Sequence, residues 1–348
     1  VTVPIVALTP NPILEVRVNG KGPYRFMLDT GGQGHARADA ALVASLSLPV
    51  VGQARGGDGG GNTVSMDVVR FETLEIGGAV FRNIEAASRD YNRMGGAARI
   101  DGVLGLQLFA NHLLTIDYPG RRVHIRSGAL PEADGGRILE FDGARGTVSL
   151  PVQVGPERIR ADIDTGSMGA IMLPSAMAKT LPLAAPPAVS GQARTVTNTV
   201  TVSSAPLSGD ATIGSWRIQT PVLEFSDLFN AHANIGSQVL REFAITIDQT
   251  NHRVRFERDA EGPIILETPR RIGMMGSPTA SGFLVDQLVP GGAGARAGLQ
   301  SGDLVTHIGG RPFSEIAADQ VGAALTGAPR VVLTVKRGDQ TLTITVVY

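Results

Sequence analysis

Two aspartates stand in the same short string at two places in the chain, Leu28-Asp29-Thr30-Gly31 and Ile163-Asp164-Thr165-Gly166. Each string closes a short apolar run and ends in a glycine that lets the backbone turn sharply, so each presents one carboxylate from a tight loop. Two carboxylates a few ångströms apart cannot both ionise easily, so one keeps its proton while the other carries charge. Such a pair can take a proton from water at one member and supply one to a leaving group at the other, with neither a metal nor a covalent intermediate. A lone Asp-Thr-Gly reads as a turn aspartate. Two copies in matched surroundings make Asp29 and Asp164 a candidate dyad.

The surroundings do match. Gly52-Gln53-Ala54-Arg55 recurs as Gly191-Gln192-Ala193-Arg194, and Leu74-Glu75-Ile76-Gly77-Gly78 is echoed by Ala211-Thr212-Ile213-Gly214-Ser215. The stretch from Gly105 to Ile125 is echoed from Gly236 to Phe256. A repeat this long describes a duplicated lobe and not a solenoid. Within the first lobe, alternation and Asn19-Gly20 predict a hairpin whose second strand, from Tyr24 to Leu28, delivers Asp29. A short helix is expected over 39–46, and a glycine-rich hairpin tip over 52–62. Strands are expected from Val64 to Glu85 with Gly77-Gly78 as their turn, then a strand through Val103-Leu104-Gly105 and a hairpin from Leu113 to Ile125. Residues 257–269 read as a connection. Beyond them lies sequence with no counterpart in either lobe. Strands are expected at 281–288 and 302–308, a short helix at 293–299, a helix capped by Ser314 and running to Leu325, and a closing hairpin around Gly338-Asp339.

Composition narrows the function classes. With 348 residues the chain can hold two or three cores, and 44 Gly with 21 Pro favours turn-rich β architecture over helical bundles. A net charge of −1 gives no electrostatic case for nucleic acid. The absence of cysteine removes thiol nucleophiles, disulfides and cysteine-ligated metals. The histidines lack the paired spacing of a zinc helix. No apolar run approaches the roughly 20 residues of a membrane span. The chain starts at Val1 and is read as a mature form from which any targeting segment has been removed.

On these residues the chain resembles the aspartic proteases of the pepsin and retropepsin group. The likeness covers lobes at 1–128 and 137–258, and it implies a mainly β, two-lobed acid protease fold. In that group each lobe adds a strand of two apolar residues and a glycine that passes beneath its Asp loop. Here those elements are Val103-Leu104-Gly105 and Asn234-Ile235-Gly236, so Gly105 and Gly236 are the matching glycines. The resemblance implies that Thr30 and Thr165 hydrogen-bond across to the opposite loop, and that Gly31 and Gly166 bring backbone N–H groups to the carboxylates. Both lobes are in one chain, so no catalytic dimer is required. Three positions depart from the pattern: Gly32 has no side chain where Ser167 has a hydroxyl, Asn234 replaces an apolar residue, and residues 50–66 carry no tyrosine for a flap at 52–62. A hydroxyl at Ser167 leads to the expectation that Asp164 is the ionised member. His35 and Arg37, opposite Ala170 and Met172 of the second lobe, are candidates for the wall of the cleft.

Residues 270–348 resemble a bacterial PDZ domain, an α+β unit that binds an extended peptide by strand addition. The pattern maps the peptide site onto Gly282, Phe283, Leu284 and Val285. The expected function is therefore an aspartic endopeptidase that needs no cofactor. It takes a peptide or protein substrate between its lobes and a peptide ligand on its PDZ domain. The resemblance also implies a periplasmic or secreted protein. A serine protease is excluded by the absence of Gly-x-Ser-x-Gly and of space for its domain. The alternative is a peptide-binding or scaffold protein that keeps the protease fold with weakened chemistry.

Overall fold

The strands Ile13–Val18 and Lys21–Asp29 pair antiparallel around Asn19 and Gly20, whose φ angles of 51° and 73° are those of a tight hairpin turn. That turn fixes the register in which Asp29 ends the second strand. The computed structural model describes residues 1–8, 11–57, 63–92, 99–194, 199–227, 232–267, 270–317 and 320–348. The expected flap tip lies largely outside them; its flanks Val50–Gly57 and Thr63–Ile76 form one antiparallel ladder.

The molecule is mainly β, and the described residues form four sheets. In the seven-stranded sheet of the first lobe, Gly102–Gly105 runs parallel to Lys21–Asp29, with Gly105 opposite Asp29, and antiparallel to Ala36–Asp39. The nine-stranded sheet of the second lobe repeats this insertion. There Ala233–Ile235 runs parallel to Glu157–Ile163 and antiparallel to Ile171–Pro174. Asp39 caps the helix Ala40–Leu46 by accepting a hydrogen bond from the Ala41 N–H.

The third sheet is shared. Leu113–Asp117 and Ala244–Asp248, each read from sequence as part of a hairpin in its own lobe, pair antiparallel with each other. Their outer neighbours are Arg122–Arg126 and Arg253–Glu257, with Thr2–Pro4 and Ile138–Glu140 at the two edges. Thr115 and Thr246 face each other in register, and their hydroxyls are 2.9 Å apart in the buried centre. That rung lies on the pseudo-twofold relation between the lobes. One apolar core accordingly runs through both lobes, from Phe26 and Phe71 to Phe225 and Phe256.

The C-terminal segment has its own core around Val285, Val305, Leu333 and Val346. Its sheet follows the order Met274–Thr279, Gly282–Leu288, Leu304–Ile308, Arg330–Arg337, Gln340–Val347. The helix expected to start at Ser314 is shorter: Ser314 lies in a 3-10 turn, Phe313–Glu315, and the α-helix spans Val321–Thr326. The connection is packed, not free. Ile264 is fully buried and bridges to Ile218, and Arg271 pairs with Glu224 of the second lobe. Among the described residues no helix is long and apolar enough to cross a membrane.

Candidate active site

The two Asp loops meet where the parallel strand insertions of the lobes face each other, and the threonines lock them. The Thr30 N–H donates to Thr165 Oγ1 at 3.0 Å and the Thr165 N–H donates to Thr30 Oγ1 at 3.1 Å. Each hydroxyl then donates to a carbonyl of the other lobe, Thr30 to Ile163 at 2.8 Å and Thr165 to Leu28 at 2.6 Å. Both threonines are fully buried. Four hydrogen bonds out of water therefore hold the residues that immediately follow the two aspartates. Asn11 adds a fifth contact, its amide donating to the Thr165 carbonyl.

Only glycine fits between the loops. A Cβ on Gly31 would stand 2.5 Å from Asp164 Cγ, and one on Gly166 would stand 2.6 Å from Asp29 Oδ1. Beneath them, a Cβ on Gly105 would meet the Gly34 carbonyl oxygen at 2.1 Å and one on Gly236 the Gly169 oxygen at 2.4 Å. These approaches lie well inside van der Waals contact.

The inner carboxylate oxygens are held alike. Gly31 N–H donates to Asp29 Oδ1 at 3.1 Å; Gly166 and Ser167 N–H donate to Asp164 Oδ1 at 2.8 and 3.1 Å. The outer oxygens differ. Asp29 Oδ2 has the guanidinium of Arg37 at 3.5 Å, and Asp164 Oδ2 accepts from the Asn234 amide at 2.9 Å. Ser167 thus serves through its backbone N–H and not its hydroxyl. Neither partner of the outer oxygens follows from the duplicated motif, and the only trace of them in the sequence is the mismatch between the lobes at those positions.

Burial raises both carboxyls above the ordinary range. For Asp29 it is opposed first by Arg37, then by the N–H groups of Gly31 and Gly32 and by a hydrogen bond from Asp164. Asp164 is pushed up to about 7, by burial first and then by the charge of Asp29. The cation of Arg37 favours ionisation at Asp29, and the charge of Asp29 in turn favours the proton on Asp164, the reverse of the order expected from Ser167. Among the described residues no group of three His, Cys, Asp or Glu is gathered that could hold a metal.

Residues 14–108 match the family model described as aspartyl protease, and residues 264–336 match the one described as PDZ domain. The chain joins an aspartyl protease domain to a PDZ domain. The match of the aspartyl protease model ends within the first lobe, and the second lobe repeats that geometry around Asp164. No curated protein matches the chain. Among solved structures, a PDZ domain protein from Parabacteroides distasonis is 21% identical over 22% of this chain and 19% of its own, with a TM-score of 0.21. This chain thus spans about a fifth of that protein's length. The HtrA3 PDZ domain bound to a phage-derived ligand is 28% identical over 22% of this chain and 83% of its own, with a TM-score of 0.20.

In the PDZ domain the peptide site read from the sequence is corrected. The strand bearing Gly282, Phe283, Leu284 and Val285 is paired on both sides, with Met274–Thr279 and with Leu304–Ile308. Its N–H and C=O groups are already engaged in ladders, so it cannot receive a further strand. The open edge beside it is Met274–Thr279, which pairs on one side only. The residues just before that edge reach the helix, since the Arg270 guanidinium donates to the Thr326 carbonyl at 3.4 Å.

Proposed function

We propose that the aspartyl protease domain is an aspartic endopeptidase with Asp29 and Asp164 as its dyad, and that the PDZ domain binds extended peptide segments of its protein substrates. The observation that carries this reading is the interlocked pair of Thr30 and Thr165, which brings two partly exposed carboxyls together while leaving their loops no other arrangement.

In this reading the charged carboxylate takes a proton from a water molecule as its oxygen bonds to the scissile carbonyl carbon. The protonated carboxyl gives its proton to the carbonyl oxygen, producing a neutral gem-diol. The dyad then gives the proton it took from water to the nitrogen while a gem-diol hydroxyl returns its proton to the other carboxylate; the C–N bond breaks, and an acid and an amine leave with one proton again shared between the carboxyls. The same carboxyls contribute more to a tetrahedral carbon than to a planar amide, because their hydrogen bonds match hydroxyl oxygens. For the PDZ domain, the support is a free strand edge at Met274–Thr279, entered from Arg270, whose guanidinium donates to Thr326 of the Val321–Thr326 helix, an arrangement suited to main-chain pairing with one added strand.

The test is binding of a peptide whose scissile amide is replaced by a hydroxyethylene group, compared with the parent peptide. The wild type is expected to prefer the isostere by at least about 100-fold, and Asp29→Asn or Asp164→Asn to erase that preference. Equal affinity of wild type and both variants for the two peptides would leave only peptide binding and remove the catalytic reading.

A further inference from the structure

The outer contacts of the dyad come from one rung of the ladder, used in opposite senses by the two lobes. In the first lobe Arg37 pairs with Val103; in the second, Met172 pairs with Asn234. One side chain on each rung reaches the outer oxygen of its own aspartate. It comes from the strand after the Asp loop in the first lobe and from the inserted strand in the second. The other member of each rung, Val103 or Met172, is apolar.

Gly32 explains how an arginine fits there. A Cβ on Gly32 would lie 2.6 Å from Asp29 Oδ2 and 2.9 Å from Arg37 Nη1, so the guanidinium lies against the space that a side chain at 32 would claim. Arg37 is fixed in that position. Its backbone sits in ladders with Val103 and Ala87, its Nη2 donates to the Gln33 carbonyl at 3.2 Å, and only a quarter of its side chain is exposed. The ionisable groups facing Asp29 are Arg37, Asp164 across the axis, and the half-buried Tyr91, which also lies against Arg37.

We propose that Arg37 and Asn234 are positioning residues that divide the labour of the dyad: the cation keeps Asp29 as the carboxylate that accepts the proton of water, and the neutral amide orients Asp164 while favouring its charged form less than a cation would, so that Asp164 remains the acid. This rests on the endopeptidase reading. A cation beside one carboxyl and an uncharged donor beside the other makes the two protonation microstates unequal, which two hydroxyls would not do.

The experiment is the pH dependence of kcat/KM for the full chain with Arg37→Gln, Arg37→Lys and Asn234→Val, together with the carboxyl 13C titration of Asp29. Removing the cation raises the Asp29 pKa. The acidic limb of Arg37→Gln is therefore expected to move up by about one pH unit, a tenfold change in ionisation constant, while Arg37→Lys keeps it within roughly 0.3. Asn234→Val is expected to lower kcat with that limb in place. A purely structural Arg37 would lower the rate at every pH and leave the limb and the 13C titration unmoved, and that result would overturn the proposal. The 13C titration reads out even where Arg37→Gln is inactive. Undiminished cleavage by either Asp29→Asn or Asp164→Asn would instead refute the aspartic dyad on which the proposal stands.

Discussion

Replacing Thr165 by valine keeps the shape of the side chain and removes its hydroxyl, and the structure says what that strands. The Thr30 N–H loses its acceptor at 3.0 Å and the Leu28 carbonyl loses its donor at 2.6 Å, both in a region closed to water. A buried polar group left without a partner costs about 1–3 kcal/mol, so Thr165→Val should lose roughly 2–6 kcal/mol. That is a large part of the 5–15 kcal/mol, in round terms about 10, that holds a typical domain together. Thr165→Ser keeps both hydrogen bonds and gives up one methyl, at about 1 kcal/mol. Trp216 is the only tryptophan and packs edge-on against Phe243 in the core of the protease lobes, so its fluorescence follows this unit and not the PDZ domain. Urea unfolding read at Trp216 should place Thr165→Val well below Thr165→Ser. If the two variants fall within about 0.5 kcal/mol of each other, the grip does not carry the energy assigned to it. Thr30→Val, which strands the Thr165 N–H and the Ile163 carbonyl, should behave as its mirror image.

Other consequences concern pH, the PDZ edge and the junction. Asp164 is raised from 3.8 to about 7 in the native state, so the folded protein keeps a proton that the unfolded chain has released. Its contribution to stability is complete below about pH 4 and is lost as pH rises to about 7; the stability of wild type relative to Asp164→Asn should fall across that window and then level off, and a difference independent of pH would contradict the shift. Hydrogen exchange on adding a PDZ-binding peptide should slow the amides of Met274–Thr279 and leave those of Gly282–Val285 unchanged, since the latter already sit in ladders on both sides. Protection confined to 282–285 would restore the site read from the sequence. At the junction, Arg271→Ala leaves the buried Glu224 carboxylate without its cation and should destabilise the protease unit by roughly 1–3 kcal/mol, much of it recovered in the double variant with Glu224→Gln. A double-mutant cycle with no coupling would show that the pair is energetically idle.

The duplicated strings made the centre of the site legible. Because each Asp-Thr-Gly follows a strand and repeats its flanks, the identities of Asp29, Asp164, both threonines and the glycines beneath them could be read without coordinates. The shared sheet was not legible, because alternation marks Leu113–Asp117 and Ala244–Asp248 as strands but says nothing about which strand pairs with which across 131 residues. The same limit misplaced the PDZ site: the pattern of 282–288 is that of a strand, and only the topology distinguishes a central strand from an edge. Asn234 looked like a defect in an apolar pattern. Its role depends on a partner 70 residues away and emerges only when the rung with Met172 is seen. Arg37 was visible as a charged residue near the cleft, but its contact with Asp29 depends on the missing side chain of Gly32, a relation between positions that no local pattern encodes.

The most direct test is digestion of a diverse peptide mixture from acidic to neutral pH, read by mass spectrometry, for wild type, Asp29→Asn and Asp164→Asn. The expected result is internal cleavage by the wild type that fades as pH rises through about 7 and is abolished in both variants. Undiminished cleavage by either variant would contradict a dyad formed by these two residues.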